Sequence, residues 1–298
     1  MALSVLTYKI PCEFGRWTFR TGAIVTQNGG IGELAPLPGF SLETLEEGLE
    51  AFESGHFSRF PSAQTAHDMM AVSPSYTTPS PIHVAGLLSP TLDWQDLKSL
   101  VKIAETNGYK TIKLKVSPKD LSKKNQLRSL CHDFPQIKLR LDGNRQFTLE
   151  ESIDFFSNFS NIDYIEEPLI DSSDLKHFYE KTGLPIAMDE TLRQSAIMGK
   201  SNWVTAWILK PTLSGLEACK ALAKEASLAG KRAIWSSSFE SVIGLSLIGH
   251  TAYECCPDET HGLDTLQFLS DPTLGAKPWS IKNPWIIPPI DVLRSYLC

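Results

Sequence analysis

The chain has 298 residues, with 28 Lys+Arg against 34 Asp+Glu, and its formal net charge of −6 argues against a protein built to coat nucleic acid. Hydrophobic residues at 42% and charged residues at 21% are the proportions of a globular protein, and the length suits one large α/β barrel or two ordinary domains. A mean hydropathy of −0.12, and no uncharged apolar run approaching the ~18 residues of a membrane span, predict a soluble protein without one.

The opening stretch MALSVLTYKIPCEFGRW carries neither a basic leader nor a small-residue cleavage site, so no secretory signal is expected. Cys12, Cys131, Cys219, Cys255, Cys256 and Cys298 are dispersed and form no C-x-x-C pair, which predicts reduced thiols and a cytoplasmic location. Adjacent Cys255 and Cys256 suit neither ordinary disulfide geometry nor zinc-ligand spacing. With no H-x-x-x-H among the histidines, a His/Cys metal site is not expected.

In chain order, FRTGAIVTQNGGIGELAPL predicts short strands around the turn Asn28-Gly29-Gly30, and SLETLEEGLEAFES predicts a helix opening at Ser41. The Pro/Ser stretch Tyr76 to Pro81 reads as a linker that breaks regular structure, closing a small α+β domain over residues 1–80. Beyond it IHVAGLL, TIKLKV, IKLRLDGN, DYIEEPL, PIAMDE, TAWILKP, RAIWSSS and GLDTLQF are eight short apolar strand candidates, mostly followed by helical segments such as WQDLKSLVKIAETNG and SGLEACKALAKEASLAG. Polar residues recur at the carboxyl end of strand after strand, which favours a barrel over an open sheet. The expectation is a barrel over 81–270, with 271–298 packing back on the first domain.

The last polar residues of six successive strands are Lys115, Asp142, Glu166, Asp189, Lys210 and Ser236, spaced 21 to 27 residues apart, as strand, helix and loops require. Singly, each carboxylate would read as a helix cap. Three in a row at one barrel mouth would repel one another without a cation between them, and hard oxygen donors favour Mg2+. Lys113 and Lys115 leave the same strand face, and two neighbouring ammoniums beside a divalent cation predict a lowered lysine pKa, making Lys115 a general base. Lys210 approaches from the other side of the ring. Arg140 shares the phase of Asp142 and Asn144 continues it, so both are substrate-contact candidates, with an interior ion pair the equal alternative for Arg140. Ser236-Ser237-Ser238 closes a strand and opens a helix whose N–H groups could hold a carboxylate or merely be capped.

In these residues the sequence resembles the enolase superfamily, and within it the o-succinylbenzoate synthase family. The resemblance is carried in order by GELAPLPGFS (Gly32 to Ser41), KLKV (Lys113 to Val116), LRLDGN (Leu139 to Asn144), IEEPL (Ile165 to Leu169), AMDETLR (Ala187 to Arg193), ILKPTLSG (Ile208 to Gly215), SSSFES (Ser236 to Ser241) and HGLDT (His261 to Thr265). It implies an enolase-superfamily modified (β/α) barrel with an N-terminal α+β capping domain, and a Mg2+-dependent carbon–oxygen lyase acting on a small-molecule carboxylate. Asp142, Glu166 and Asp189 would then bind Mg2+, Lys115 would take the α-proton, Lys210 would stabilise the enediolate, and Lys113 would hold the substrate and tune Lys115. Ser236 and Gly262 would meet a substrate carboxylate, and a loop around Arg20 to Gly22 would cover the site. Gly143 departs from the pattern, where a slightly larger residue is expected. Other readings left open are an N-acylamino acid racemase, a dipeptide epimerase or a muconate-type cycloisomerase on the same site, a Schiff-base enzyme using Lys210, and a non-catalytic barrel binding protein.

Overall fold

The computed structural model describes residues 2–15, 17–88, 96–271, 273–275 and 282–297. Its strands are, in chain order, β1 (Ser4–Phe14), β2 (Trp17–Gln27), β3 (Gly30–Leu34), β4 (Ser80–Val84), β5 (Gly86–Leu87), β6 (Thr111–Lys115) and β7 (Lys138–Asp142). They continue with β8 (Ile162–Glu166), β9 (Ile186–Met188), β10 (Val204–Leu209), β11 (Arg232–Trp235), β12 (Thr260–His261) and β13 (Trp285–Ile287). The chain packs as two compact units, one made of Met1–His83, Leu209–Glu225 and Trp235–Cys298, the other of Val84–Ile208 and Ala226–Ile234.

In the first unit β1, β2 and β3 form an antiparallel meander. The β2–β3 turn has Asn28 and Gly29 at φ +52° and +84°, the backbone a tight hairpin demands and these two residues tolerate. β1 went unread in the sequence, although Ile10, Cys12 and Phe14 alternate inward with exposed Lys9, Pro11 and Glu13. The helix Leu45–Glu53 starts later than expected. Thr44 caps it in a reciprocal box with Glu47, while the Ser41 hydroxyl accepts from the Leu37 N–H. A second helix, Pro61–Val72, follows.

The supposed linker also needs correction, because its last residues, Ser80 and Pro81, open β4, the middle strand of the sheet β12-β4-β13. Trp285, Ile286 and Ile287 of β13 lie opposite Ile82, Pro81 and Ser80, and the Ile290 N–H donates to the Tyr76 carbonyl at 2.8 Å. These contacts tie the described C-terminal residues to the N-terminal part of the same unit.

In the second unit, seven strands lie in the order β11-β10-β9-β8-β7-β6-β5, so each neighbours the next in sequence. Pairing is parallel from β5 through β10. Parallel neighbours require crossovers, supplied here by helices such as Leu97–Thr106, Lys124–Asp133, Leu149–Phe156 and Leu175–Thr182. Trp94 and Gln95 of the first helical pattern lie outside the described residues. Inside the sheet, Tyr164, Ala187, Ala206, Ile208 and Ile234 pack into one buried cluster. This is the barrel sheet of the expected fold, carried alongside an α+β capping domain.

Two strand candidates differ from expectation. IHVAGLL divides between β4, in the antiparallel sheet, and the short edge strand β5. Of GLDTLQF, Gly262 makes a single parallel bridge to Ser236 just after β11, but Leu266–Phe268 is a 3-10 turn, and β12 just before the segment joins β4. Gln267 donates back to Asp264 within this segment, a local bond that favours a turn, while the Thr265 hydroxyl meets that of Ser237. The five described cysteines are free thiols, Cys255 exposed and Cys256 half-buried, and Cys298 lies outside the described residues. Among the described residues no helix is long and apolar enough to cross a membrane.

Candidate active site

The site is built where β6, β7 and β8 end level with one another, with Lys115 paired to Asp142 and Asp142 to Glu166 in the strand register. One step back lie Lys113, Arg140 and Tyr164. Asp189 directly follows β9. Asp142, Glu166 and Asp189 are 4%, 1% and 2% exposed, and burying three carboxylates is tolerable only beside compensating charge.

Lys113 supplies part of that charge. Its Nζ lies 2.6 and 2.7 Å from the two Glu166 oxygens and 2.9 Å from Asp142 Oδ2, so two carboxylates converge on one ammonium. Burial alone would lower the Lys113 pKa, but the charges of Asp142 and Glu166 outweigh it and hold the group above its ordinary value. Lys115 stands apart from that grip. Its Nζ donates to Asn144 Oδ1 at 2.8 Å, lies 3.5 Å from Asp142 Oδ2, and its side chain is 31% exposed.

Asn144, at φ +45°, also donates its N–H to Asp142 Oδ1 at 3.1 Å, so the expected substrate contact here orients the lysine. Of the two readings of Arg140, the structure has the interior ion pair. It is 1% exposed, donates from Nε to Asp163 at 2.7 Å and lies over the Tyr164 ring. Arg232 reaches the same carboxylate at 2.6 Å. Burial would raise the Asp163 pKa, but the two guanidiniums bring it below the usual carboxylate value. Sequence phase missed Asp163 because β8 slips register there: Leu139 faces Ile162 and Arg140 faces Tyr164, leaving Asp163 as an extra residue.

Asp189 is met by Arg193, whose Nη1 lies 2.7 Å from Oδ1. The helix Glu190–Gln194 puts this partner four residues on, a spacing legible in AMDETLR. Glu167 turns away from Glu166, as alternation predicted, and bonds behind Asp189. Gly143 is explained by the same neighbourhood. A Cβ there would stand 2.9 Å from the Glu167 carbonyl oxygen and Pro168 Cα, so a larger residue does not fit.

The remaining predicted residues belong to the first unit. Lys210 directly follows β10 and opens the turn Pro211–Ser214. The serine run does not open a helix with free N–H groups. Those of Ser236, Ser237, Ser238 and Phe239 donate to Leu209 O, Gly262 O, Glu240 Oε2 and Ser237 Oγ, and the helix Val242–Cys255 is capped by Ser241. The Gly262 N–H is likewise spent on the Trp235 carbonyl, and the Ser236 hydroxyl reaches Gly262 O at 3.3 Å. Arg20 lies in β2 rather than in a covering loop. It is fully buried and donates to the carbonyls of Ala35, Pro36, Ser238 and Phe239. Glu33, unremarked in the sequence, accepts from Tyr8, from the Ser241 N–H and hydroxyl, and from the Gly244 N–H, anchoring the start of that helix.

Among the described residues no three acidic, histidine or cysteine side chains stand close enough to form a finished cation cage. Asp142 and Glu166 already share one cation, Lys113, while Asp189 is drawn to Arg193. As a donor set, three buried carboxylates at the ends of successive parallel strands fit a hard divalent ion such as Mg2+.

The family described as enolase C-terminal domain-like matches residues 96–289. A protein of Pectobacterium atrosepticum named o-succinylbenzoate synthase is 31% identical over 294 residues, spanning 90% of this chain and 91% of its own. Among solved structures, the L-Ala-D/L-Glu epimerase of Bacillus subtilis superposes with a TM-score of 0.80 at 15% identity, covering 97% of this chain and 96% of its own. A dipeptide epimerase of Enterococcus faecalis, complexed with Mg and the dipeptide L-Leu-L-Tyr, gives 0.78 at 19% identity over 96% of each chain. The two epimerases speak to the fold, the sequence relative to the branch. The chain belongs to the o-succinylbenzoate synthase family, lyases of the enolase superfamily.

Proposed function

We propose that the chain catalyses the Mg2+-dependent dehydration of 2-succinyl-6-hydroxy-2,4-cyclohexadiene-1-carboxylate to o-succinylbenzoate in the cytoplasm. The observation that carries this reading is Lys115, partly exposed and aimed by Asn144, beside two buried carboxylates that converge on one cation. An amine in that place can take the proton α to the substrate carboxylate, leaving an enediolate. The β-hydroxyl then departs with its bonding pair, and the proton held on Lys115 goes to it, so the chain returns to its starting state and water is released.

Asp142, Glu166 and Asp189 would hold Mg2+, which when bound supplies Lewis-acid stabilisation of the charge developing on the substrate carboxylate. Lys210 is assigned the stabilisation of the enediolate on the strength of ILKPTLSG and its place directly after β10. Lys113 keeps Asp142 and Glu166 together. With the local N–H groups spent, the Ser236 hydroxyl is the donor assigned to a substrate carboxylate.

The test is turnover of the hydroxy-cyclohexadiene followed by absorbance, with Mg2+ and with EDTA. Metal-dependent aromatisation is expected. No turnover by folded, Mg2+-loaded protein would overturn the reading, and exchange of the α-proton of an N-acylamino acid with solvent deuterium would replace it with a racemase.

A further inference from the structure

The pair Glu166-Glu167 sends one carboxylate to each side of β8, and only the first has a role in the reaction proposed above. Glu167 is 2% exposed and sits at φ +42°, a backbone region that side-chain-bearing residues enter only when their surroundings hold them there. Its Oε1 accepts from the Asp189 and Thr191 N–H groups, both at 2.8 Å, and its Oε2 accepts from the Thr191 hydroxyl at 2.6 Å. These partners belong to the three residues that begin at Asp189.

Those residues need an outside anchor. β9 is three residues long, and the helix after Asp189 has only five, too few to hold its own first turn in water. A buried carboxylate accepting two N–H groups satisfies donors that a short helix leaves unpaired and fixes the direction in which Asp189 leaves the backbone. We propose that Glu167 is the positioning residue of the metal site, aiming Asp189 from behind without itself meeting the ion. The proposal rests on Asp189 being a Mg2+ ligand.

The test is calorimetric titration of metal-free protein with Mg2+, without substrate, alongside thermal melting of the metal-free form. Glu167→Gly keeps φ +42° accessible and removes the whole side chain, carboxylate included. It is expected to weaken Mg2+ binding by about tenfold or more, the usual loss when a ligand's supporting partner is removed. Glu167→Gln retains an acceptor for both N–H groups and should stay within about threefold of wild type, a rescue that loss of general stability would not produce. If Glu167→Gly does not fold, Thr191→Val removes one donor and should weaken binding by about threefold.

Wild-type affinity in folded Glu167→Gly, or in Thr191→Val where that variant is needed, overturns the proposal. Wild-type protein that binds Mg2+ but does not dehydrate the substrate overturns the reaction and leaves the positioning role standing. Wild-type protein that binds no Mg2+ overturns both.

Discussion

Lys115 donates to Asn144 Oδ1 at 2.8 Å, and Asn144 in turn donates its backbone N–H to Asp142, so the lysine's direction is set from the strand carrying the first carboxylate. Lys113, two residues earlier on the same strand, is locked against Asp142 and Glu166. One lysine thus answers two carboxylates, while the other keeps a side chain that is 31% exposed.

Lys115→Ala should lower turnover by about 10²–10⁴-fold, the usual worth of a positioned acid–base group. The side chain is 31% exposed and adds little to packing, so thermal melting should move little. Steady-state rates and a melt on the same preparation check both halves; a variant keeping most of its rate would remove Lys115 as the base.

Asp163→Asn should be strongly destabilising, because it strips the charge partner from buried Arg140 and from Arg232 together. Breaking a buried pair on one side costs about 3–5 kcal/mol, measurable by urea unfolding. Arg140→Met should likewise lower stability while leaving KM unchanged. A raised KM at full stability would restore Arg140 to the substrate contacts.

Gly143→Ala should cost about 1–3 kcal/mol, as overpacking does, because the three nearest atoms its methyl would meet are backbone, at Glu167 and Pro168, and have no rotamer to escape into. Denaturant midpoints of the two proteins decide this, and equal midpoints would show that the β7 end can shift.

His250 predicts a pH dependence. Its Nδ1 meets Ser80 Oγ at 2.8 Å and its Nε2 meets the Pro288 carbonyl at 2.9 Å. Burial lowers its pKa, and the Pro288 bond offsets only part of this. Unfolded histidine titrates near about 6.5, so as pH falls the unfolded chain takes up this proton first. The contribution of His250 to stability is complete above about pH 6.5 and is lost as the pH falls from there through its lower folded value. Melting temperature should drop between pH 7.5 and pH 5.5, and His250→Gln should flatten that slope; an unchanged slope would place the sensitive group elsewhere.

The strands of the second unit were legible because buried parallel strands are short and largely apolar, and TIKLK, KLRLD and IDYIE each close on a polar residue, Lys115, Asp142 and Glu166. GLDTLQF misled for the same reason: it has the apolar content of a strand, but its Asp264 side chain accepts from Gln267 within the turn. β1 escaped notice because the hairpin signal lies one strand later, at Asn28-Gly29. Arg140 and Asp163 could not be read as a pair, since the one-residue slip in β8 that joins them leaves no mark in composition or spacing.

By itself the sequence determined which residue types close each barrel strand, because strand length and alternation are local properties that apolar spacing records. It therefore named Lys113, Lys115, Asp142, Glu166 and Asp189 together, and it set Glu167 on the opposite face. What only the tertiary structure decided is which charge answers which across the strands: Lys113 with Asp142 and Glu166, Asn144 with Lys115, and Glu167 behind Asp189. Those pairings join residues on different strands and turns, and an ion pair or hydrogen bond exists only where folding has brought its two ends within about 3 Å, a distance that no one-dimensional spacing encodes.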